Sequence, residues 1–357
     1  MKKVIFIINA IQQQRCLKRV EEFIDHGYEV KAYGFSRSEV VPTQPKRFEI
    51  EVLGHIDNGI AYAKRLWIMY KALRPVFLQH KNEDVIYYYF LLDVAMVCLF
   101  ISNKPYIYEE SDLMQTYLSF SPLRYTLDLI DRCLIRHSVL TTMTSEGFLQ
   151  YHFPQEKPTN ICLVPNRLNP RVTELPRRKH PTDIHHLKIA FVGGARFDSI
   201  VHIADTILTH FPQHEFHFYG TISDHHEDFK RIQDTYSNVR FHGKFTNPDD
   251  LPAIYENIDL LVATYDTKYE NVRYAEPNKL YEAIYFLAPI LVSRGTFLAE
   301  KVKRLGIGFD IDPLNDNEII TFFNHLQPND IQRCADNCKR IDTQNIIDRN
   351  PDLFNKL

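Results

Sequence analysis

The sequence predicts an α/β protein built from two doubly wound, Rossmann-like domains that face a central cleft. Short apolar runs alternate with helix-length amphipathic segments along the chain, as expected of parallel strands that are buried on both faces and joined by crossover helices. The length of 357 residues exceeds what one hydrophobic core usually organises. A proline-rich stretch interrupts the alternation near the middle, which indicates a boundary between two domains.

The first half of the chain predicts one doubly wound domain with six strands. The predicted strands are 4–8, 29–32, 85–90, 106–109, 139–142 and 161–164. The predicted helices lie near 14–26, 59–73, 91–102, 122–136 and 145–152.

The second half repeats the pattern after a linker that is rich in proline and contains the basic run Arg177-Arg178-Lys179. Its predicted strands are 188–192, 215–219, 239–241, 260–263 and 290–293, with helices near 199–210, 226–236, 249–256, 278–287, 297–305 and 316–326. We therefore predict an N-terminal domain at 1–166, a linker at 167–186, a C-terminal domain at 187–340, and a C-terminal segment at 341–357 that could return to the N-terminal domain.

Composition argues against several classes of protein. A formal net charge of -3 gives no sign of nucleic-acid binding. The most apolar stretch, 87–101, contains Asp93 and is shorter than the roughly 20 residues of a membrane span. The six cysteines are scattered, which favours a reducing cytoplasm. Cys334 and Cys338 are expected to pack on one helix face, since no second Cys or His pair has zinc-finger spacing.

A glycine pair follows the first predicted strand of the second domain. The strand at 188–192 runs into Gly193, Gly194, Ala195 and Arg196, at the carboxyl end where open α/β sheets bind ligands. Glycine backbone, a helix N-terminus and a guanidinium together suit a diphosphate. The pair could equally turn a strand into a helix. Because the motif is not G-x-G-x-x-G, it gives no support for NAD binding.

The segment 276–282 predicts a helix that begins at Pro277 and exposes one polar face. Asn278, Lys279 and Glu282 are expected to share that face, three or four residues apart. Ammonium, amide and carboxylate groups in this arrangement could bind a nucleotide diphosphate and its ribose hydroxyls. An ordinary surface Lys–Glu pair is the alternative. The apolar stripe on the opposite face comprises Leu280, Ala283, Ile284 and Leu287.

These segments resemble the donor-site signature of GT-B-fold glycosyltransferases, particularly glycosyltransferase family 4 and its bacterial capsular, exopolysaccharide or lipopolysaccharide members. The strongest match is PNKLYEA at 277–283 followed by LAPILVS at 287–293. Other matching stretches, in the family's order along the chain, are LVPN at 163–166, FVGG at 191–194, VRFHGKF at 239–245 and IDLLVA at 258–263.

The resemblance implies a nucleotide-sugar donor bound by the second domain. No metal or other cofactor is expected, because no Asp-x-Asp signature occurs in the candidate donor loop. Glu282 would bind the ribose, Lys279 the diphosphate together with the glycine loop and Arg196, and 243–245 would lie beside the base. Arg196 and Lys279 would also assist departure of the diphosphate. The residues expected to contact the donor are Gly193, Gly194, Arg196, Gly243, Lys244, Phe245, Glu276, Asn278, Lys279, Leu280 and Glu282.

The chain departs from the family pattern at three positions. Tyr274 stands where many members have a glutamate, Ala288 where they have a glycine, and Phe197 where a lysine follows the arginine of the phosphate loop. Glu276 could replace the missing carboxylate, or it could lie at a helix N-terminus where negative charge is favoured. These departures affect the residues that contact the donor sugar in the family.

The first domain is expected to bind the acceptor, a glycan or a lipid-linked hydroxyl. Strand 106–109 ends in an acidic loop in which Glu110 or Asp112 could act as a general base, although an acidic helix-capping cluster is equally consistent. The basic helix at 60–74 carries Trp67 and could contact an anionic membrane surface. Rival functions are a sugar-nucleotide epimerase on the same fold and a nucleotide-sugar-binding protein without catalysis.

Overall fold

The computed structural model describes residues 2–37, 47–57, 59–156, 158–177 and 182–357. The chain divides into two compact units, one formed by Met1–Val164 with Asn350–Leu357 and the other by Pro165–Arg349. Residues 178–181 of the predicted linker lie outside the described ranges. Other parts of that segment belong to the second unit, because Leu168 and Val172 are buried in its core.

The first unit is a parallel sheet with helices on its faces. Among its described residues, seven strands form the sheet in the order β3-β2-β1-β4-β5-β6-β7. The strands are β1 Lys3–Ile8, β2 Glu29–Ser36, β3 Ile50–His55, β4 Val85–Phe90, β5 Tyr106–Glu110, β6 Leu140–Met143 and β7 Ile161–Leu163. The helices are α1 Gln14–Asp25, α2 Tyr62–Gln79, α3 Leu91–Ile101, α4 Ser121–His137 and α5 Glu146–His152, with a 3₁₀ turn at Met114–Tyr117.

The second unit has the same winding. In the part of the chain that the structure describes, its strand order is β10-β9-β8-β11-β12-β13. The strands are β8 Lys188–Val192, β9 Glu215–Tyr219, β10 Val239–Gly243, β11 Leu260–Ala263, β12 Ile290–Ser293 and β13 Gly308–Ile311. The helices are α6 Asp198–His210, α7 His226–Thr235, α8 Leu251–Glu256, α9 Glu270–Tyr274, α10 Lys279–Phe286, α11 Phe297–Leu305, α12 Asp316–His325 and α13 Pro328–Arg340, with 3₁₀ turns at Pro170–Glu174 and Thr343–Asn345.

Both sheets are parallel throughout and reverse their winding beside the first strand, between β1 and β4 and between β8 and β11. Loops at such switch points, at the carboxyl ends of the strands, are where doubly wound folds bind ligands. The predicted class, a doubly wound parallel α/β domain in each half of the chain, is therefore confirmed. The edge strands β3 and β13 were missed because their burial is partial and their sequences lack a continuous apolar run.

Strand β8 illustrates how the apolar pattern produces a two-sided core. Ile189 and Phe191 pack into one cluster, while Ala190 and Val192 face the other, as the two-residue period of a strand requires. Helices therefore cover both faces of this sheet. Cys334 and Cys338 are both buried on α13, as predicted, and all six cysteines are free thiols.

The end of the chain packs on the first unit. Helix α14, Pro351–Asn355, places Leu353 fully inside the core built around β1 and α1. Phe354 stacks on His26 with ring centroids 3.5 Å apart. Residues 341–349, in contrast, remain with the second unit. Within the described ranges, no helix combines the length and apolar content that crossing a membrane requires.

Candidate functional site

The glycine loop after β8 requires glycine because of its backbone conformation. Gly193 has φ +139°, which side chains of L residues rarely adopt, and it lies against the Lys279 stem, whose Cε is 3.4 Å from the position that a Cβ atom would take. The loop is held by backbone bonds, since Gly193 N donates to Tyr219 O at 2.7 Å and Ala195 N to Thr221 O at 2.8 Å. The structure thus brings the predicted loop and Lys279 together.

A second glycine, which sequence reasoning missed, holds the neighbouring loops in place. Gly220 has φ +121°, and a Cβ atom there would lie only 2.1 Å from the carbonyl oxygen of Gly193. Its amide donates to Gly243 O at 2.7 Å. The loops after β8, β9 and β10 are therefore bonded side by side. Gly220 directly follows the predicted strand 215–219, so the reasoning used for Gly193 could have identified it.

These loops enclose a cavity of about 330 Å³. Gly193, Gly243 and Lys244 line it together with Tyr219 and Gly220, so two of the three residues predicted to lie beside the base are at the cavity. The third, Phe245, is half-buried and packs against the core under the opposite face of the sheet.

The predicted bounds of α10 were wrong. The helix begins at Lys279, Asn278 is its N-cap residue, and it ends at Phe286 before Leu287, whose φ is 57°. The expected exposed polar face was also wrong, because every residue from Lys279 to Phe286 is buried, including Leu280. Helices α8 and α13 pack against α10, and Tyr255 of α8 bonds to Glu282 on the face that was expected to be exposed. Asn278 is half-buried.

Lys279 and Glu282 form a buried ion pair. The Lys279 Nζ atom lies 3.2 Å from Oε1 and 3.1 Å from Oε2 of Glu282, and the Glu282 side chain is 0% exposed. The Tyr255 hydroxyl donates to Oε2 at 2.6 Å. Burial and the adjacent carboxylate raise the pKa of Tyr255 well above its ordinary value. No local sequence signal pointed to Tyr255, which lies 27 residues before Glu282.

Glu276 is engaged on both carboxylate oxygens. Tyr281 OH donates to Oε1, and Lys301 Nζ donates to Oε2 at 2.8 Å. The side chain is buried, and burial together with the Glu276 charge raises the pKa of Tyr281. Glu276 therefore anchors the loop before α10 to Tyr281 and Lys301. Its role as a replacement for the missing carboxylate and its role as a favourable charge at the helix N-terminus both stay predictions.

The N-terminus of α6 is already capped. Asp266 accepts from the amides of Asp198 at 3.2 Å and Ser199 at 2.8 Å. Its carboxylate occupies the position that the sequence analysis assigned to a phosphate, because both are anions favoured at a helix N-terminus. Arg196 and Gly194 are exposed beside this loop. An anion bound at this loop would therefore depend on the side chains of Arg196 and Lys279 more than on the α6 amides.

In the first unit, the two candidate bases differ in access. Glu110, the last residue of β5, is fully buried and bonded to His152 Nε2 at 2.7 Å, and burial raises its pKa to about 8. Asp112 lies in the loop beyond the strand and is half-buried. Of the two, only Asp112 is open to solvent.

No protein-family model matches the chain, and no curated protein sequence does. Solved structures match over nearly the whole length. Sucrose-phosphate synthase from Thermosynechococcus elongatus has a TM-score of 0.70 at 15% identity, covering 97% of this chain and 95% of that one. Anabaena HepE in complex with UDP-glucose has a TM-score of 0.67 at 14% identity, covering 100% of both chains. The lipopolysaccharide outer core galactosyltransferase WaaB has a TM-score of 0.63 at 14% identity, covering 99% of this chain and 100% of that one. At this identity the likeness confirms the shared GT-B fold.

Proposed function

We propose that this chain is a glycosyltransferase that moves a sugar from a nucleoside-diphosphate sugar to a hydroxyl of a glycan or lipid-linked acceptor. The observation that carries the proposal is the buried Lys279–Glu282 pair beside Gly193, at the carboxyl edge of the second sheet. The shared fold supports it, and so does the presence of UDP-glucose in the HepE complex.

Donor binding follows from the groups around the glycine loop. Glu282 accepts hydrogen bonds from the ribose hydroxyls, and Lys279 and Arg196 neutralise the diphosphate. The base occupies the cavity lined by Gly243 and Lys244. Because Lys279 contacts both Glu282 oxygens in this structure, it must turn towards the diphosphate to free the carboxylate for the ribose.

In the proposed reaction, the bond between the sugar C1 and the diphosphate oxygen breaks and a bond from C1 to the acceptor oxygen forms. Negative charge develops on the departing diphosphate, where Arg196 and Lys279 stabilise it without a metal ion. The acceptor proton leaves to a base, for which Asp112 is better exposed than Glu110. Retention of the anomeric configuration belongs to this proposal by resemblance to family 4.

The test is titration calorimetry of the purified chain with a panel of nucleoside diphosphates, beginning with UDP, followed by NMR of donor incubated with and without acceptor sugars. We expect one nucleotide per chain and an acceptor-dependent product that retains the donor's anomeric configuration. Isomerisation of the donor without acceptor would establish the epimerase instead. Nucleotide binding with no turnover across a broad acceptor panel would reduce the proposal to a binding protein.

We further propose that the first unit contacts an anionic membrane surface from the cytoplasmic side, where a lipid-linked acceptor for surface polysaccharide is presented. Trp67 and Phe100 are 56% and 87% exposed. On α2, Lys64, Lys71 and Arg74 are exposed, and Lys71 Nζ lies 5.1 Å from the Trp67 ring. Apolar side chains among cations suit the interface of an anionic bilayer.

Sedimentation with vesicles tests this surface. The chain should bind phosphatidylglycerol vesicles more tightly than phosphatidylcholine vesicles, and Phe100→Ser should weaken that binding, with Tyr269→Ser on the second unit, 44% exposed, as the matched control. Equal binding to both vesicle types would refute recognition of an anionic surface, and no binding to either would refute membrane contact. Both outcomes would leave the transferase proposal intact.

A further inference from the structure

Three ionisable side chains from separate elements converge inside the first unit. Glu110 ends β5, Asp131 lies in α4, and His152 ends α5. One ligand atom from each of them lies within 4.8 Å of the other two. His152 Nε2 is 2.7 Å from Glu110 Oε1 and 3.7 Å from Asp131 Oδ2. Exposure of the three residues is 0%, 0% and 2%, so the group is closed to solvent.

The carboxylate oxygens of this group are incompletely satisfied. Tyr108 OH donates to Asp131 Oδ1 at 2.9 Å, whereas Asp131 Oδ2 and Glu110 Oε2 are buried and have no hydrogen-bond partner among the described residues. Two enclosed carboxyl groups would carry two negative charges when both are ionised, and buried charge is unfavourable unless it is paired. The group therefore requires a cation, which could be a metal ion or protons.

We propose that Glu110, Asp131 and His152 bind one divalent first-row metal ion, such as Zn²⁺ or Mn²⁺, in a closed structural site. Two carboxylates neutralise a divalent ion, and one imidazole with carboxylate oxygens is a donor set that these ions accept. Asp131 Oδ2 and Glu110 Oε2 supply the unpaired ligand atoms. The Tyr108 hydroxyl, bonded to the other Asp131 oxygen, fixes the orientation of that carboxylate.

A metal at this position would join β5, α4 and α5. It would also remove Glu110 from the list of possible bases, leaving Asp112, and it would stiffen the loop that carries Asp112. The site belongs to the first unit and is independent of the donor residues on α10, so it can be tested without any nucleotide.

The experiment is metal analysis of the full chain purified without a metal-chelate column, followed by chelator treatment and calorimetric titration with ZnCl₂ and MnCl₂. We expect one equivalent per chain, a rise in Tm on loading, and proton release on binding. His152→Gln and Asp131→Asn should reduce metal affinity by at least about tenfold. The control is His137→Gln, which changes an exposed histidine on α4 and should bind metal as wild type does.

Wild-type chain that takes up neither ion, with no change in Tm, would overturn the metal site. Unchanged affinity in His152→Gln would also overturn it, because the bound ion would then lie elsewhere. If the variants do not fold, stoichiometry and Tm of the wild-type chain decide. Nucleotide titration of the same samples reports on the proposed transferase separately.

Discussion

Replacing Lys279 with methionine distinguishes the two contacts that α10 is proposed to make with a nucleotide, that of Lys279 with the diphosphate and that of Glu282 with the ribose. Methionine keeps most of the apolar stem and removes the ammonium, which lies 3.1 and 3.2 Å from the Glu282 oxygens. Hydrogen bonds to charged groups contribute about 1.5–3 kcal/mol, so the affinity for the best-bound nucleoside diphosphate should fall by about 10- to 150-fold. The affinity for the parent nucleoside, which lacks the diphosphate, should not fall.

The same substitution also lowers stability, because it leaves the buried Glu282 carboxylate with Tyr255 as its remaining hydrogen-bond donor. Removing one partner of a buried pair costs about 3–5 kcal/mol. Lys301→Met is the matched control. It removes an ammonium 2.8 Å from the buried Glu276 carboxylate and should lower Tm by a comparable amount while leaving nucleotide affinity unchanged.

The assay is titration calorimetry with nucleoside diphosphate and nucleoside on wild type, Lys279→Met, Glu282→Gln and Lys301→Met, at a temperature where each variant is folded by circular dichroism. Glu282→Gln should weaken both ligands by the same factor, because both contain the ribose. If Lys279→Met binds the diphosphate as tightly as wild type, or if Lys301→Met loses as much affinity as Lys279→Met, the assignment of these residues is wrong.

Three further predictions concern stability and are measured by thermal or urea unfolding. Gly220→Ala places a methyl group 2.1 Å from Gly193 O and should lower the free energy of unfolding by more than about 2 kcal/mol. Gly27→Ala shares the strain of a positive φ (+79°) but has open space around it, so it should cost less. Burial lowers the pKa of His214 to about 4, and its Nδ1 accepts from Leu187 N at 3.2 Å. An unfolded histidine takes up a proton near pH 6.5, so the free energy of unfolding should fall, by up to about 3 kcal/mol, as pH drops from 6.5 towards 4. His214→Asn keeps a hydrogen-bond acceptor and should flatten this pH dependence. If the slope is unchanged in the variant, His214 is not the group responsible. Leu353→Ala should cost about 2–5 kcal/mol, since this side chain is fully buried, and a loss below 1 kcal/mol, roughly a surface value, would show that α14 contributes little.

The sequence by itself determined the α/β class and the strands inside each sheet, because strand and helix periodicity and the glycines at strand ends are local properties. The run KIAFV of β8 and the glycine after it predict a buried strand and its loop without reference to the rest of the chain. The edge strand β3 shows the limit of this reasoning, since only Ile50 is fully buried there and no apolar run marks it.

Tertiary structure alone decided which polar side chains are buried and what they contact. Lys279 and Glu282 lie three residues apart, a spacing typical of a surface pair, but both are buried. Tyr255 of α8 bonds to Glu282, and Gly193 lies against the Lys279 stem. Glu110 meets His152 across 42 residues of chain, and no spacing rule links two such positions. Burial depends on elements that are distant in sequence. A charged side chain that is buried loses its contact with water and must be paired with a side chain or a ligand of opposite charge. The fold could therefore be predicted from local sequence patterns. The chemistry of the buried groups could not, because it depends on which side chains packing brings together.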